Sequence, residues 1–159
     1  MARRLTYLLI LSLMMVLLVT GCQQQKKPII PRTKAAEQYD PSQLSPTERR
    51  VISSRLSNVA ATVKGVQRAI VVLSSDNKNK MVVLVGLTLT PDAANKPQQI
   101  KSTTADKIKK SDKRVTQVLV TTDPNMTKRI SDIAAGIIQG KPVKSYARDV
   151  DELTRTLKK

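Results

Sequence analysis

Val66-Gln67-Arg68-Ala69-Ile70-Val71-Val72-Leu73-Ser74 and Lys80-Met81-Val82-Val83-Leu84-Val85-Gly86-Leu87-Thr88-Leu89 are the two runs whose reading decides the fold. Both are rich in β-branched and aliphatic residues, which fit a pleated surface better than a helix. Asp76-Asn77-Lys78-Asn79 between them is turn chemistry, so the pair predicts a hairpin. In the second run Met81, Val83, Val85, Leu87 and Leu89 share one face, because side chains alternate along a strand. Val82 and Leu84 make the other face apolar as well, which predicts a strand that is central or covered on both sides. Gly86 predicts either a bulge or the close approach of another backbone.

Upstream of the hairpin, Ser45-Pro46-Thr47-Glu48 announces a helix: a capping serine, proline at the first turn, and a glutamate spaced for a capping box. Ile52, Leu56, Val59 and Val63 follow as one apolar stripe, widened by Val51 and Ala60. Arg49, Arg50 and Arg55 fall to the wet side, and Gly65 is the stop. Downstream, Ile100, Thr104 and Ile108 recur at helical spacing within residues 91–113, with Pro97 near the start. Val115 to Thr122 predicts a third strand, and Asp123-Pro124 caps and starts another helix. That helix has the cleanest apolar stripe: Met126, Ile130, Ile133, Ala134, Ile137 and Ile138, ended by Gly140 and Pro142. Tyr146 to Leu157 closes the chain with Val150, Leu153 and Leu157 on one face. The acids Asp149, Asp151 and Glu152 come early and Arg155 and Lys158 late, an order that suits the helix dipole. The order is α-β-β-α-β-α with a short C-terminal helix. The predicted class is α+β, helices covering one face of a three-stranded sheet. Strand order does not follow from the pattern.

Composition narrows the function. The chain has 159 residues and a formal charge of +16, with one cysteine and no histidine, tryptophan or phenylalanine. Without histidine or a second cysteine, His-based acid/base catalysis and His/Cys metal sites are excluded. No phosphate-binding glycine loop or nucleophile elbow is present, and the twelve acids are scattered. A non-enzyme with no cofactor and no metal is the expectation. The positive field predicts anionic partners. Lys101, Lys107, Lys109, Lys110, Lys113 and Arg114 form the most basic stretch. A charge run of this kind is ordinarily a solvated helix face; the alternative is a patch facing a polyanion or a membrane.

The N-terminus predicts the compartment. Arg3 and Arg4 precede an apolar run, Leu5 to Val19, as in a secretory signal. Val19-Thr20-Gly21-Cys22 resembles a bacterial lipobox. The resemblance implies cleavage between Gly21 and Cys22 and diacylation of the Cys22 sulfur, with a diacylglyceryl cysteine and palmitate-type chains in the mature protein. The alternatives are a plain signal peptide and an uncleaved anchor, although a span wants roughly 20 apolar residues. Cleavage removes two of the 28 basic side chains and none of the 12 acids. The expected organisation is residues 1–21 as signal peptide, 22–44 as a flexible basic tether, and 45–159 as one α+β domain. Pro28, Pro31, Pro41 and three glutamines mark the tether, which would hold the domain roughly 25 Å from the lipid.

Val118-Leu119-Val120-Thr121-Thr122-Asp123-Pro124, then Ile130, Ile133 and Ile137, then Gly140-Lys141-Pro142-Val143, Tyr146 and a terminal helix, resemble the YhcN/YlaJ-type sporulation lipoproteins of endospore-forming bacteria. Tyr146 stands where phenylalanine is common in that pattern. The family implies a lipoprotein made during sporulation and held at a cell or spore membrane, such as the spore inner membrane, with its domain outside the cytoplasm. It implies a role in spore formation or germination and supplies no catalytic residues. The expected partners are the membrane through the lipid, anionic lipid or wall polymer, another spore envelope protein, or a second copy. A second copy would pair through the sheet edge or the Met126–Ile138 helix. Nucleic acid is not expected: the chain is exported, and its mature part has only Tyr39 and Tyr146 for base stacking.

Overall fold

The fold comes from a computed structural model, which describes residues 43–76 and 78–158. The expected signal, the lipidation site Cys22 and nearly all of the tether lie outside the described residues. The described residues belong to one compact unit, Ala36–Lys159.

Helix α1 (Pro46–Ala61) starts as its sequence requires. Ser45 Oγ accepts the Glu48 N–H at 3.2 Å, and the Glu48 carboxylate accepts the Ser45 N–H at 3.0 Å. The returned hydrogen bonds from Ser45 also hold the Glu48 carboxyl below its ordinary pKa. Strands β1 (Val66–Ser75) and β2 (Met81–Leu89) form the expected antiparallel hairpin, with Val71 opposite Val85. Asp76 Oδ1 accepts the N–H groups of Lys78 and Lys80, each at 2.8 Å, and so fixes the turn. Helix α2 (Pro97–Ser111) then carries the chain to β3 (Val115–Thr121), which lies parallel to β2. Parallel neighbours need a crossover of a dozen or more residues, and α2 supplies it. The sheet order is β1-β2-β3, so the middle strand of the sequence is the middle strand in space.

Helix α3 (Pro124–Ile138) begins where Asp123 Oδ1 accepts the Met126 N–H at 2.8 Å. It ends in a Schellman motif: Lys141 N–H reaches the Gly136 carbonyl, Gly140 N–H reaches that of Ile137, and Gly140 takes a φ of 91°. A 3-10 turn, Val143–Tyr146, leads into α4 (Ala147–Leu157), so the last helix starts one residue later than Tyr146.

Two helices lie on each face of the sheet. Ile52, Leu56 and Ala60 of α1 and Ile100 and Ile108 of α2 pack on Met81, Val83, Val85 and Leu87. Ile130 and Ile133 of α3 and Val150 and Leu153 of α4 pack on Val72, Val82, Leu84 and Leu119. The expectation of helices over one face is corrected. Three strands at about 4.8 Å spacing make a sheet about 14 Å wide, and a helix is about 10 Å across, so one face cannot hold four. The signal was in β2, where every residue from Met81 to Leu87 is buried.

Gly86 turns out to be the close approach rather than a bulge. A Cβ there would lie 3.1 Å from the Thr127 Cα, so its absence lets α3 settle onto the middle strand. Two assignments along α1 also change: Arg49 is buried and Val51 is 60% exposed. At 100° per residue Arg49 lies within about 60° of Ile52 around the helix, whereas Val51 lies about 100° away.

Candidate functional site

The acids are mostly committed to holding the fold. Asp112 follows α2 and is buried, with its side chain 4% exposed. Arg114 donates to it through Nε at 2.8 Å and Nη2 at 2.6 Å, and Arg55 of α1 donates to the same carboxylate. Burial pushes the Asp112 carboxyl up; the Arg114 hydrogen bonds, with the charges of Arg114 and Arg55, overcome this and leave it below the usual range. On the opposite face of the sheet Arg129 of α3 grips Glu152 of α4 at 3.0 and 3.1 Å, with Asp149 at 3.6 Å. The hydrogen bonds from Arg129 hold Glu152 below its ordinary value, and Arg129 is raised in turn. Lys128 pairs with Asp132 one turn on, at 2.8 Å. Among the described residues no group of three His, Cys, Asp or Glu side chains converges on a point that could hold a metal.

The bases are distributed unequally. Helices α1 and α2, on one face of the sheet, carry Arg49, Arg50, Arg55, Lys101, Lys107, Lys109 and Lys110 against Glu48 and Asp106. Helices α3 and α4, on the other, carry Lys128, Arg129, Arg148 and Arg155 against Asp132, Asp149, Asp151 and Glu152. One helical layer is strongly positive and the other is balanced. The six residues of the basic stretch divide within this arrangement. Lys109, Lys110 and Lys113 are exposed, Lys101 is half-buried beside the apolar stripe, and Arg114 is committed to Asp112. Lys107 reaches the Thr62 carbonyl at 3.4 Å, tying α2 to the end of α1. A shallow depression of about 660 Å³ opens between these helices, floored by Val51 and Val59 and rimmed by Arg50, Arg55 and Lys107. The sequence shows the run on α2; it does not show that the arginines of α1, fifty residues earlier, extend the same surface.

A second concavity, about 490 Å³, runs along the outer edge of β1 between α1 and α3. Its walls are mainly small residues, such as Ser53 and Ser57 on α1 and Ser131 and Ala135 on α3. The Arg50 guanidinium spans from α1 to the Ile138 carbonyl at the end of α3, at 2.9 Å. Nothing in the sequence marks this slot, because it needs the helices on opposite faces of the sheet.

No helix among the described residues is long and apolar enough to cross a membrane. The family model described as Sporulation lipoprotein YhcN/YlaJ matches residues 21–158, from the residue before Cys22 to the residue after α4. Comparison with curated proteins returned no match.

Proposed function

The chain belongs to the sporulation lipoprotein YhcN/YlaJ family, and from that premise we propose that it is a non-catalytic protein of the spore envelope that binds an anionic surface through its α1–α2 layer. A diacylated Cys22 tethers it on the extracytoplasmic side of a membrane, and the basic layer turns the domain toward anionic lipid headgroups or a phosphate-bearing wall polymer.

The observation that carries the reading is the segregation of charge by sheet face. A uniformly basic domain would need no orientation, whereas one positive layer opposite a balanced one gives the domain a side. Lipid and charge then act together: two acyl chains hold the protein at the membrane, and a polybasic surface beside them adds about 1 kcal/mol per cation near an anionic leaflet. Exposed Val51 and half-buried Val59, between Arg50, Arg55 and Lys107, suit an interface that is part apolar and part anionic. Against an enzyme stand the lack of histidine and the commitment of Asp112, Asp123, Asp132 and Glu152 to structural contacts.

The test uses a chain without residues 1–21 and with Cys22→Ala, mixed with anionic vesicles, neutral vesicles, or soluble polyglycerol phosphate. Binding to anionic vesicles that falls steeply with salt, together with loss on joint Lys107, Lys109, Lys110 and Lys113→Glu reversal, supports the reading. Preference for the polymer over vesicles assigns the wall as target. Equal binding to neutral vesicles, or equal loss on Lys128→Glu and Arg148→Glu reversal, refutes it. The anchor is tested separately, by fatty-acid labelling of the native chain beside Cys22→Ala; label and membrane retention should vanish together.

A further inference from the structure

Strand register gathers several segments at one end of the sheet. Ser75, the last residue of β1, pairs with Met81, the first of β2, and Met81 also pairs with Val115, the first of β3. The Thr116 hydroxyl donates to the Met81 carbonyl at 2.9 Å, so the β1–β2 turn and the α2–β3 loop sit side by side. α1 leads into β1 through Gly65 at the other end and packs along that strand, which returns its first turn to this end. Electrostatics agrees with that placement. Glu48 is held low by its Ser45 hydrogen bonds first and also by the charge of Arg114. Asp76 is held low by the Lys80 N–H first, and also by the charges of Lys80 and of Lys158, just beyond α4.

The lysines at this end point to solvent, whereas its acids are engaged within the fold. Lys78, Lys80, Lys113 and Lys158 are exposed, and among the described residues none of them forms a salt bridge. Glu48 is closed into the capping box, Asp112 is gripped by Arg114 and Arg55, and Asp76 turns Oδ1 onto its own turn. The turn that presents Lys78 and Lys80 is pinned twice more. The Asp76 N–H reaches the Lys80 carbonyl and the Asn79 N–H reaches the Asp76 carbonyl, each at 3.0 Å. The opposite end is balanced. In its connecting segments, residues 62–65, 90–96 and 122–123, Lys64 and Lys96 are matched by Asp92 and Asp123.

We propose that the turn end of the sheet is a docking surface for anionic phospholipid headgroups, contacted through Lys78, Lys80 and Lys158. Two observations select a membrane. The chain that carries Cys22 joins the domain here, at the first turn of α1, so along the chain this is the end next to the lipid. The lysines are point charges on flexible stems, presented by a turn and by the end of α4 rather than along one groove. That arrangement suits a plane of phosphates better than a single polymer strand. The inference rests on the anionic target proposed above and narrows it to lipid. Lys113 carries the α2 run around to this end, and the domain leans on the corner between them. The lysines of the turn and of α4 are not those of α2, so either reading can fail alone.

The test uses the chain without residues 1–21 and with Cys22→Ala, which then has no cysteine. A thiol-reactive fluorophore is attached through Ser75→Cys at this end or through Ala94→Cys at the other, both exposed positions. The vesicles are equal parts phosphatidylglycerol and phosphatidylcholine, with a nitroxide quencher carried on the lipid. Quenching should be markedly stronger at the Ser75→Cys site than at the Ala94→Cys site. Vesicle binding should weaken about tenfold or more with Lys78→Glu, Lys80→Glu and Lys158→Glu combined, and change little with Lys64→Glu and Lys96→Glu. Equal quenching at the two sites while vesicles still bind overturns the proposal and leaves the α1–α2 layer as the contact. Equal loss from the two sets of reversals also overturns it, because charge at either end would then serve. If the triple variant lowers the urea midpoint, the quenching ratio at native charge decides. Binding of polyglycerol phosphate that falls with the triple reversal, while vesicle binding does not, overturns lipid as the target and assigns this end to the wall.

Discussion

The two faces of β2 meet two different kinds of helical layer. Toward α1 and α2 the strand offers Met81, Val83, Val85 and Leu87, all buried, and the helices that cover them turn mostly arginine and lysine outward. Toward α3 and α4 it offers Val82 and Leu84, and the covering helices neutralise themselves through Arg129, Asp149 and Glu152 and through Lys128 and Asp132. Both sides bury an apolar cluster, the larger one under α1 and α2. The outer surfaces differ, which separates what holds the domain together from what it shows to a partner. The contrast appears in the ion pairs too. Asp112 is a buried acid gripped by two arginines, whereas Arg129 is a part-exposed base shared by two exposed acids.

The largest effect should come from breaking a layer at the core. Leu84→Ala removes a fully buried side chain under α3 and α4 and should cost about 2–5 kcal/mol in urea unfolding. Leu56→Ala should cost a similar amount under α1. A gross inequality between the two would mean that the layers are not equal partners in stability. Next is Gly136→Ala. A Cβ there would lie 2.6 Å from the Tyr146 Cζ, so the ring must leave the helix, at about 1–3 kcal/mol and with a change in tyrosine fluorescence.

Asp112→Asn should cost about 1–3 kcal/mol at neutral pH, because two arginines lose their anion while keeping access to water. The pH dependence has a definite sign. The folded carboxyl titrates below the usual value of about 3.9, so its stabilisation is present above about pH 4 and fades as pH falls through the folded value. The variant should therefore lose less stability than the native protein between pH 5 and pH 3. Lys109→Glu with Lys110→Glu should shift stability by no more than about 0.5 kcal/mol and yet reduce anionic vesicle binding and its salt slope. The smallest effect belongs to Arg129→Ala. Its partners are exposed, so urea unfolding should move little and vesicle binding not at all.

Local chemistry was legible where neighbours in sequence decide it. Ser45 and Glu48 form the capping box they spell, Asp123 caps α3, and Gly140 ends it. The hairpin turn is held by the Asp76 carboxylate, as its composition indicates. The apolar spacing of Ile100, Thr104 and Ile108 is the buried stripe of α2. Arg49 and Val51 were misplaced because a helical stripe has soft edges, and whether a flanking position is covered depends on the neighbouring element. Arg114 read as part of a surface run, since nothing near it in sequence shows that Arg55 will join it at Asp112.

The sequence by itself determined the elements, their order, the apolar middle strand and the excess of positive charge, because those depend on spacing and composition along a few turns of chain. Tertiary structure alone decided that β2 would pair in parallel with β3, and that two helices would lie on each face. It also decided that α1 and α2 would pool their cations and that α1 and α3 would wall a slot along β1. Each of those is a relation between segments tens of residues apart. The fit of four helices around a sheet three strands wide sets it, and no local pattern encodes that fit.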